Sequence, residues 1–201
     1  MRLLRRRAGL LVIVAALSLA LSASASATTV TVSPGGNVTG TATTNWFITV
    51  GSSTLDCTTA TFTATISSRT GTLPAVISSN LQQNMSSCTL VGVGGFTYAC
   101  TNTAVLSVTG PTVSGVTPAS LTNINCTYTI TGVCTARLTG SVPTSYSNTL
   151  GTLTFLAAGQ AITVSASTCG SLFPNGPATF TGPSRTNLIY NVSPRTTITA
   201  L

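Results

Sequence analysis

The sequence predicts an all-β fold, an antiparallel β-sandwich stabilised by disulfides. Apolar and polar residues alternate with a period of two through most of the chain after residue 27, as they do in half-buried strands. Gly- and Pro-rich turns separate these short segments, which is typical of antiparallel sandwiches. Threonine occurs 41 times, and its β-branched side chain suits strands. No amphipathic helix is predicted after residue 27.

The first 27 residues predict a secretion signal. Residues 1–7 contain four arginines, residues 9–21 are apolar apart from Ser18, and small residues follow up to Ala27. A charged start, an apolar run too short to span a bilayer and a small-residue cleavage site define such a signal. Cleavage is predicted after Ala27, with Ala25 as the second choice and an uncleaved membrane anchor as the alternative. Residues 28–201 are then predicted to form a single β-sandwich domain.

Fourteen segments of the mature chain have the composition of strands. The clearest is 57–67, where Ala60 and Phe62 share one face and four threonines (59, 61, 63 and 65) share the other. In 43–50, Trp46 and its neighbour Phe47 must face opposite ways. The segment 73–77 carries Pro74 and is predicted as an edge or a loop. The others are 28–33, 88–91, 96–101, 104–109, 124–131, 133–142, 150–156, 161–167, 178–181, 188–192 and 196–200. A sandwich of 9 to 12 strands is expected.

The mature chain carries almost no charge. The sequence has eight arginines and one acidic residue, and it has no lysine, glutamate or histidine. Arg69, Arg137, Arg185 and Arg195 follow the signal, so with Asp56 the mature net charge is 4 − 1 = +3. General acid–base catalysis needs titratable groups near neutral pH, and an activated nucleophile needs a base. We therefore expect no enzyme activity, catalytic residues, cofactor or metal site. The scattered arginines predict no nucleic-acid partner.

The six cysteines, an even number, are predicted to form disulfides in an oxidising compartment. They are Cys57, Cys88, Cys100, Cys126, Cys134 and Cys169, and their spacing does not fit a zinc site. A hairpin loop at 93–95 would set Cys88 opposite Cys100, so this pair is favoured. Cys126 and Cys134 are expected to point inward. Cys57 is out of phase with Phe62, so either it faces outward or a bulge intervenes. The partners of the other four cysteines stay open.

Two resemblances extend this interpretation. Residues 57–63 (CTTATFT), 125–140 (NCTYTITGVCTARLTG) and 178–182 (ATFTG) resemble secreted actinobacterial Thr/Ser-rich β proteins, some of them labelled activator of alkane oxidation. This resemblance covers most of the mature chain and implies an exported β-sandwich with no defined chemistry. The chain is also similar to the neocarzinostatin-type chromophore-binding apoproteins, which implies a loosely immunoglobulin-like sandwich. Those proteins are shorter and have four cysteines, so no ligand residue is carried over.

The expected function is that of a non-catalytic module at the cell surface or in the extracellular matrix, of an adhesion type. A sheet face covered with threonine can bind a cell-surface polymer, a glycan or other copies of the same chain without any ionisable group. The main alternative is a carrier of a small ligand, which needs an apolar cleft rimmed by aromatic residues such as Trp46, Phe47, Tyr98 or Tyr128. The less favoured alternatives are an ice-binding protein, suggested by the threonine face of 57–67, and an enzyme. The predicted location is extracellular or at the cell surface, with no membrane span after signal removal. The sequence does not predict an oligomeric state.

Overall fold

The computed structural model describes residues 28–90, 93–101 and 103–201. The predicted signal and its cleavage site after Ala27 lie outside the described residues. The described chain forms fifteen strands and two 3₁₀ turns, Gly170–Leu172 and Pro183–Arg185. The strands are β1 Thr29–Ser33, β2 Gly36–Ala42, β3 Trp46–Val50, β4 Ser53–Ile66, β5 Arg69–Thr72, β6 Ala75–Leu90, β7 Val93–Cys100, β8 Ala104–Val108, β9 Val116–Ile130, β10 Cys134–Ser147, β11 Thr152–Phe155, β12 Ala161–Ser165, β13 Gly176–Thr181, β14 Leu188–Ser193 and β15 Thr197–Ala200.

Twelve of these strands form one antiparallel sheet whose pairings close on themselves. The long strands β4, β6, β9 and β10 run through both halves of the sheet. Between them lie pairs of short strands, so that one circuit runs β4–β2–β14–β11–β10–β9–β8–β6 and returns to β4. The second circuit uses β3, β13, β12 and β7 at the same four positions. Closure leaves few unpaired strand edges for other chains to join.

The predicted all-β, antiparallel and disulfide-bonded fold is confirmed. Opposite walls of the closed sheet pack across one continuous core, as the two layers of a sandwich do. The immunoglobulin-like part of the prediction is not confirmed, because the pairings run in circuits rather than in two separate sheets. The strand number exceeds the expected 9 to 12. No strand was expected at β2 or β5, and β6 joins two predicted segments through residues 78–87.

A second, three-stranded sheet, β15–β1–β5, joins the two ends of the described chain. Its central strand contributes Val30 and Val32 to the core. The outer edge of β15 is bonded mainly by side chains, together with one backbone bond from the Thr112 amide to the Ala200 carbonyl at 2.8 Å. Asn148 donates from Nδ2 to the Ile198 carbonyl at 2.7 Å and accepts from the Ile198 amide at 2.8 Å. Tyr146 donates its hydroxyl proton to the Thr196 carbonyl at 2.7 Å. These bonds fasten the C-terminal strand to the large sheet.

The three disulfides are Cys57–Cys88, Cys100–Cys126 and Cys134–Cys169. All six cysteines are therefore paired, as expected, but the favoured Cys88–Cys100 pair is wrong. The β6–β7 hairpin turns earlier than predicted, which sets Cys88 opposite Phe96 and four residues out of register with Cys100. Cys88 instead lies opposite Cys57 on β4, with their Cα atoms 4.0 Å apart.

The long strands contain local irregularities that reset their inward faces. Thr58 and Thr59 are both exposed, whereas Cys57 and Phe62 on either side are both buried. Of the two possibilities for Cys57, an irregularity in the strand is therefore the one found. In β10 the register shifts between Gly140 and Val142, and the strand continues through Pro143. Proline is tolerated there because the neighbouring edge passes from β12 to β11 at this point.

Candidate functional site

An uncharged outer face extends over β2, β4, β6 and β14. Strand register sets Thr39 beside Thr63 and Thr41 beside Thr61, and it continues these rows onto β6 and β14. We call this surface the hydroxyl–amide face, and it consists of Asn37, Thr39, Thr41, Thr61, Thr63, Thr65, Asn80, Gln82, Asn84, Asn191 and Ser193. All eleven side chains are exposed or half-buried, and none of them is ionisable. The face therefore offers hydrogen-bond donors and acceptors without a net field.

Part of this face is held in place by its own hydrogen bonds. Thr65 donates from Oγ1 to Oδ1 of Asn37 at 2.9 Å, and Asn80 donates from Nδ2 to Thr65 Oγ1 at 3.2 Å. The backbone amide of Thr65 also donates to Asn80 Oδ1 at 2.9 Å. These residues line a shallow trough of about 320 Å³, together with Thr39, Thr63 and Gln82. The polar groups are thus pre-oriented before any partner arrives.

The sequence predicted only one strand of this face, β4. Threonines 59, 61, 63 and 65 were expected to share a face, and all four lie on the outer side of β4, alternating with buried residues. The neighbouring strand β2 and the middle of β6 were not predicted. Gly36 and Gly40 made β2 resemble a turn, and residues 78–87 of β6 are mostly polar. The alternation of Ala75, Ile77 and Leu81, which is interrupted at Ser78, was the available signal for β6.

A second group of polar side chains lies inside the sheet, around Tyr98. The Tyr98 hydroxyl donates to Oε1 of Gln83 at 3.2 Å. The ring of Tyr98 lies 4.7 Å from the ring of Tyr128 and 5.8 Å from that of Trp46, measured between centroids. We call Trp46, Gln83, Tyr98 and Tyr128 the tyrosine cluster.

Three groups of the tyrosine cluster, Trp46 Nε1, Gln83 Nε2 and the Tyr128 hydroxyl, have no hydrogen-bond partner among the described residues. The same holds for the hydroxyl of Tyr190, whose ring packs against Phe62 and Phe155. All four side chains are at most 4% exposed, whereas Tyr98 is only partly buried. A buried donor without an acceptor loses the free energy of its former bonds to water, so such groups are rare in folded proteins. The cluster is therefore a site of unmet hydrogen-bonding capacity.

The core around this cluster is otherwise filled. Two small cavities are present, one of about 20 Å³ and one of about 10 Å³, and both are lined by apolar atoms. The aromatic residues expected at the rim of a cleft have other positions. Trp46 and Tyr128 lie in the core, Tyr98 is partly buried against it, and Phe47 is half-buried on the outer surface. The described residues thus contain no cleft of the 300–1,000 Å³ that drug-sized ligands occupy, apart from shallow surface troughs.

The few charged side chains do not converge on either site. Asp56 accepts a hydrogen bond from Nδ2 of Asn45 at 3.0 Å, and the four arginines are exposed. In residues 28–90, 93–101 and 103–201, no group of three or more His, Cys, Asp or Glu side chains lies close enough together to hold a metal. Over the same residues, no helix is long and apolar enough to cross a membrane.

The titratable groups predict an unusual dependence of stability on pH. Burial raises the pKa of Tyr128 and of Tyr190, because their charged forms are poorly solvated in the core. In the unfolded chain these tyrosines ionise near pH 10, so above that pH the folded state binds more protons and stability falls. Below pH 10 this contribution is fully present. With no histidine and one acidic side chain, little else titrates between pH 5 and 9.

We therefore expect the midpoint of thermal unfolding to be nearly constant from pH 5 to 9 and to fall steeply above about pH 10. Circular dichroism melts of the mature protein across this range measure it. A large change between pH 5 and 8 would contradict the expectation, because no histidine is available to cause it.

A scan against models of protein families finds no match, and searches of curated proteins and of solved structures find none either. The resemblance to secreted actinobacterial Thr/Ser-rich proteins therefore stays a prediction.

Proposed function

We propose that this protein is a non-catalytic extracellular module of the cell surface or matrix, of an adhesion type. The observation that carries the proposal is the hydroxyl–amide face, an uncharged array of eleven side chains on four neighbouring strands. A face of this kind recognises its partner through many weak hydrogen bonds and through close contact, without any ionisable group. Three disulfides on a closed sheet keep the array rigid, which suits a module that works outside the cell.

The partner that fits this face is a neutral polymer with hydroxyl or amide groups, such as a cell-surface polymer, a glycan or a like chain. Charged partners gain little, because Asp56 and the arginines lie outside the array. The ordered Asn37–Thr65–Asn80 bonds present fixed donors and acceptors, so a partner loses less conformational freedom of the protein on binding.

Two observations favour this function over the alternatives. The two small cavities are far smaller than a carrier of a drug-sized ligand requires. Asp56 is the sole side-chain carboxylate of the described chain, and the hydroxyls around it have no histidine or lysine to act as a base. The described chain therefore offers neither the large cavity that a carrier needs nor the base that such an enzyme needs.

The proposal is tested in the native host by separating medium, cell wall and membrane and then cross-linking the protein in place. We expect the mature protein to be recovered with the wall or matrix fraction and cross-linked to it. Recovery as a monomer in the medium together with a co-purifying small molecule would contradict the module and favour the carrier.

The face itself is tested by placing charge in its centre. The double variant Thr39→Glu/Thr63→Glu sets two carboxylates side by side in neighbouring strands, and we expect it to bind the wall fraction at least about tenfold more weakly. The matched control is Thr163→Glu/Thr179→Glu, which adds the same charge at two exposed threonines outside the face. Sedimentation with purified walls gives the bound fraction. Equal binding by the two double variants would show that the contact lies elsewhere.

A further inference from the structure

A shallow trough of about 380 Å³ lies on the outer side of β3 and β13, on strands that the hydroxyl–amide face does not use. Register sets Thr49 of β3 directly opposite Thr179 of β13, so two hydroxyl-bearing side chains lie next to each other in it. We call it the Arg185 trough, and it is lined by Thr49, Gly51, Ala157, Pro177, Thr179, Thr181 and Arg185.

Arg185 is placed at this trough by a short loop that has its own hydrogen bonds. The Gly182 amide donates to the Thr186 carbonyl at 2.8 Å, which closes the loop on itself. Oδ1 of Asn187 accepts from the amide of Ala157 at 2.9 Å, so the loop is also tied to another lining residue. The arginine is therefore carried by an anchored loop, and its position at the trough is built into the fold.

The backbone of this loop is strained at Arg185. Ser184 and Arg185 have φ values of +55° and +61°, in the left-handed region that favours glycine, and neither is glycine. Non-glycine residues in such conformations are concentrated at binding and active sites, where the fold holds a side chain in a required position. Two of them in succession place the Arg185 side chain at the trough.

The Arg185 guanidinium has hydrogen-bond donors that the protein does not use. Arg69 donates to the Val76 carbonyl, and Arg137 donates to Oδ1 of Asn125. Among the described residues, Arg185 makes no such bond, and its side chain is exposed. A guanidinium offers a planar fork of N–H donors whose geometry matches the two oxygens of a carboxylate.

We propose that the Arg185 trough binds a carboxylate-bearing sugar unit of an acidic polysaccharide. The carboxylate pairs with the Arg185 guanidinium, and the ring hydroxyls bond the hydroxyls of Thr49 and Thr179. The trough shares no residue with the hydroxyl–amide face, so this inference does not depend on the neutral polymer proposed for that face.

The charges around the trough favour a singly charged acid. Arg185 is the one ionisable residue that lines it, so a carboxylate is balanced and a phosphate monoester, with a charge of about −1.5 to −2, is not. Asp56 pairs in register with Phe47 of β3, two strands away from β13. At about 4.8 Å per strand this is about 10 Å, beyond the screening length of about 8 Å at physiological salt, so Asp56 repels the carboxylate weakly.

The remaining lining suits a sugar ring. Ala157 and Pro177 give the trough apolar surface for the C–H groups of the ring. Phe47 extends this surface, because it is half-buried on the outer side and lies opposite Thr181 in register. A shallow, open trough also leaves both ends of a ring free to continue into a chain, which a closed pocket would not. The outward side chain beside Trp46 thereby acquires a function.

The test is isothermal titration calorimetry of the mature protein with the trimer of galacturonic acid at physiological salt. We expect binding, and we expect the methyl ester of the trimer, which has the same rings without the charge, to bind at least about tenfold more weakly. Arg185→Gln should weaken binding of the acid by a similar factor. Arg185→Lys keeps the charge but not the fork, so its affinity should lie between the two.

The matched control for net charge is Arg195→Gln. Arg195 is also exposed, and it follows β14, whereas Arg185 precedes it. The six residues of β14 span about 20 Å, so Arg195 lies far from the trough and its loss should leave the affinity unchanged. Thr179→Val removes one hydroxyl without changing the shape of the side chain, and it should weaken binding about two- to tenfold.

The two candidate surfaces are distinguished by their own variants. Thr39→Glu/Thr63→Glu changes the hydroxyl–amide face and should still bind the trimer, whereas Thr179→Glu puts a carboxylate in the trough and should abolish trimer binding. Loss of wall binding without loss of trimer binding therefore concerns that face alone. Amide shifts of Thr49 and Thr179 in NMR spectra, recorded during the titration, show where the trimer binds.

The proposal is overturned if the wild type does not bind the trimer at millimolar concentration, or if the acid and its methyl ester bind equally. It is also overturned if Arg185→Gln and Arg195→Gln lose the same affinity, because the trimer would then respond only to net charge. Tripolyphosphate or N-acetyl-trialanine binding as tightly as the trimer would contradict the sugar carboxylate in favour of a phosphate or a peptide carboxylate.

Discussion

Reducing the three disulfides is expected to unfold the mature protein at room temperature. The bridges close loops with sequence separations of 31, 26 and 35 residues. Chain-entropy estimates for loops of these lengths give about 3.7, 3.5 and 3.8 kcal/mol. The loops follow one another along the chain without overlapping, so their contributions add, to about 11 kcal/mol. Whole domains are stable by about 5–15 kcal/mol, so few could lose this much and stay folded.

The measurement compares circular dichroism and urea unfolding of the oxidised protein with those of protein reduced and alkylated in denaturant and then returned to buffer. Oxidised protein carried through the same denaturation without reductant is the control, and it should regain its strand signal. The paired variants Cys57→Ala/Cys88→Ala and Cys134→Ala/Cys169→Ala should each lose about 2–5 kcal/mol. If the reduced protein recovers the native spectrum and unfolding midpoint, the closed sheet is sufficient without its bridges.

The composition explains why we expect the bridges to supply so much of the stability. Aromatic residues make up 5% of the sequence, and many core positions hold alanine or valine. Small side chains bury less apolar area each, at about 25 cal/mol per Å². Threonine fills the outer face of nearly every strand, where it favours extended backbone without adding to the core. The fold is therefore supported by β propensity and covalent bridges more than by large side chains.

The strands could be predicted largely because their signal is local. Alternation predicted β4, β8, β11, β12, β14 and β15 to within a few residues, and it predicted that Trp46 and Phe47 face opposite ways, as they do. Cys126 and Cys134 point inward as the phase of their strands indicated. Side-chain period alone is enough to decide such features.

Pairing could not be predicted, because it depends on contacts between distant segments. The position of Cys88 relative to Cys100 depended on a loop whose length the sequence leaves open, and a shift of four residues changed its partner to Cys57. The strand β2 was not predicted because it contains Gly40. Glycine is needed at this position because the Phe62 ring lies over it, and a Cβ there would be 2.0 Å from the ring. From the sequence alone, a glycine inside a strand indicates a turn, because the residue that packs over it is not known.

The same limit applies to both candidate sites. The sequence indicated the threonines of β4 but not that β2, β6 and β14 extend them into a face. Gln83 gave no signal at all, since a glutamine among polar neighbours is ordinarily exposed. It is 3% exposed and bonded to Tyr98 only because β6 and β7 turn it inward together. Closure of the sheet, a long-range property, creates the tyrosine cluster.

Gly140→Ala is expected to be the most destabilising single substitution among the sheet glycines outside the core. Gly140 has a φ of +144°, which side-chain-bearing residues rarely adopt, and a Cβ there would lie 2.0 Å from the backbone oxygen of Ala161 on β12. Backbone strain of this kind costs about 1–3 kcal/mol, and the contact adds to it because a paired strand cannot move aside freely. We expect a loss of more than about 3 kcal/mol in the free energy of unfolding.

Gly176→Ala separates the two causes of that loss. Gly176 on β13 has nearly the same φ, +148°, but nothing lies within 4 Å of a Cβ built there. Its replacement should cost about 1–3 kcal/mol, the strain of this backbone conformation alone. Urea unfolding of both variants under one set of conditions gives the difference, which measures the contact with Ala161. Equal losses would mean that β12 yields to the new side chain, and that the register shift between Gly140 and Val142 requires glycine only for its backbone conformation.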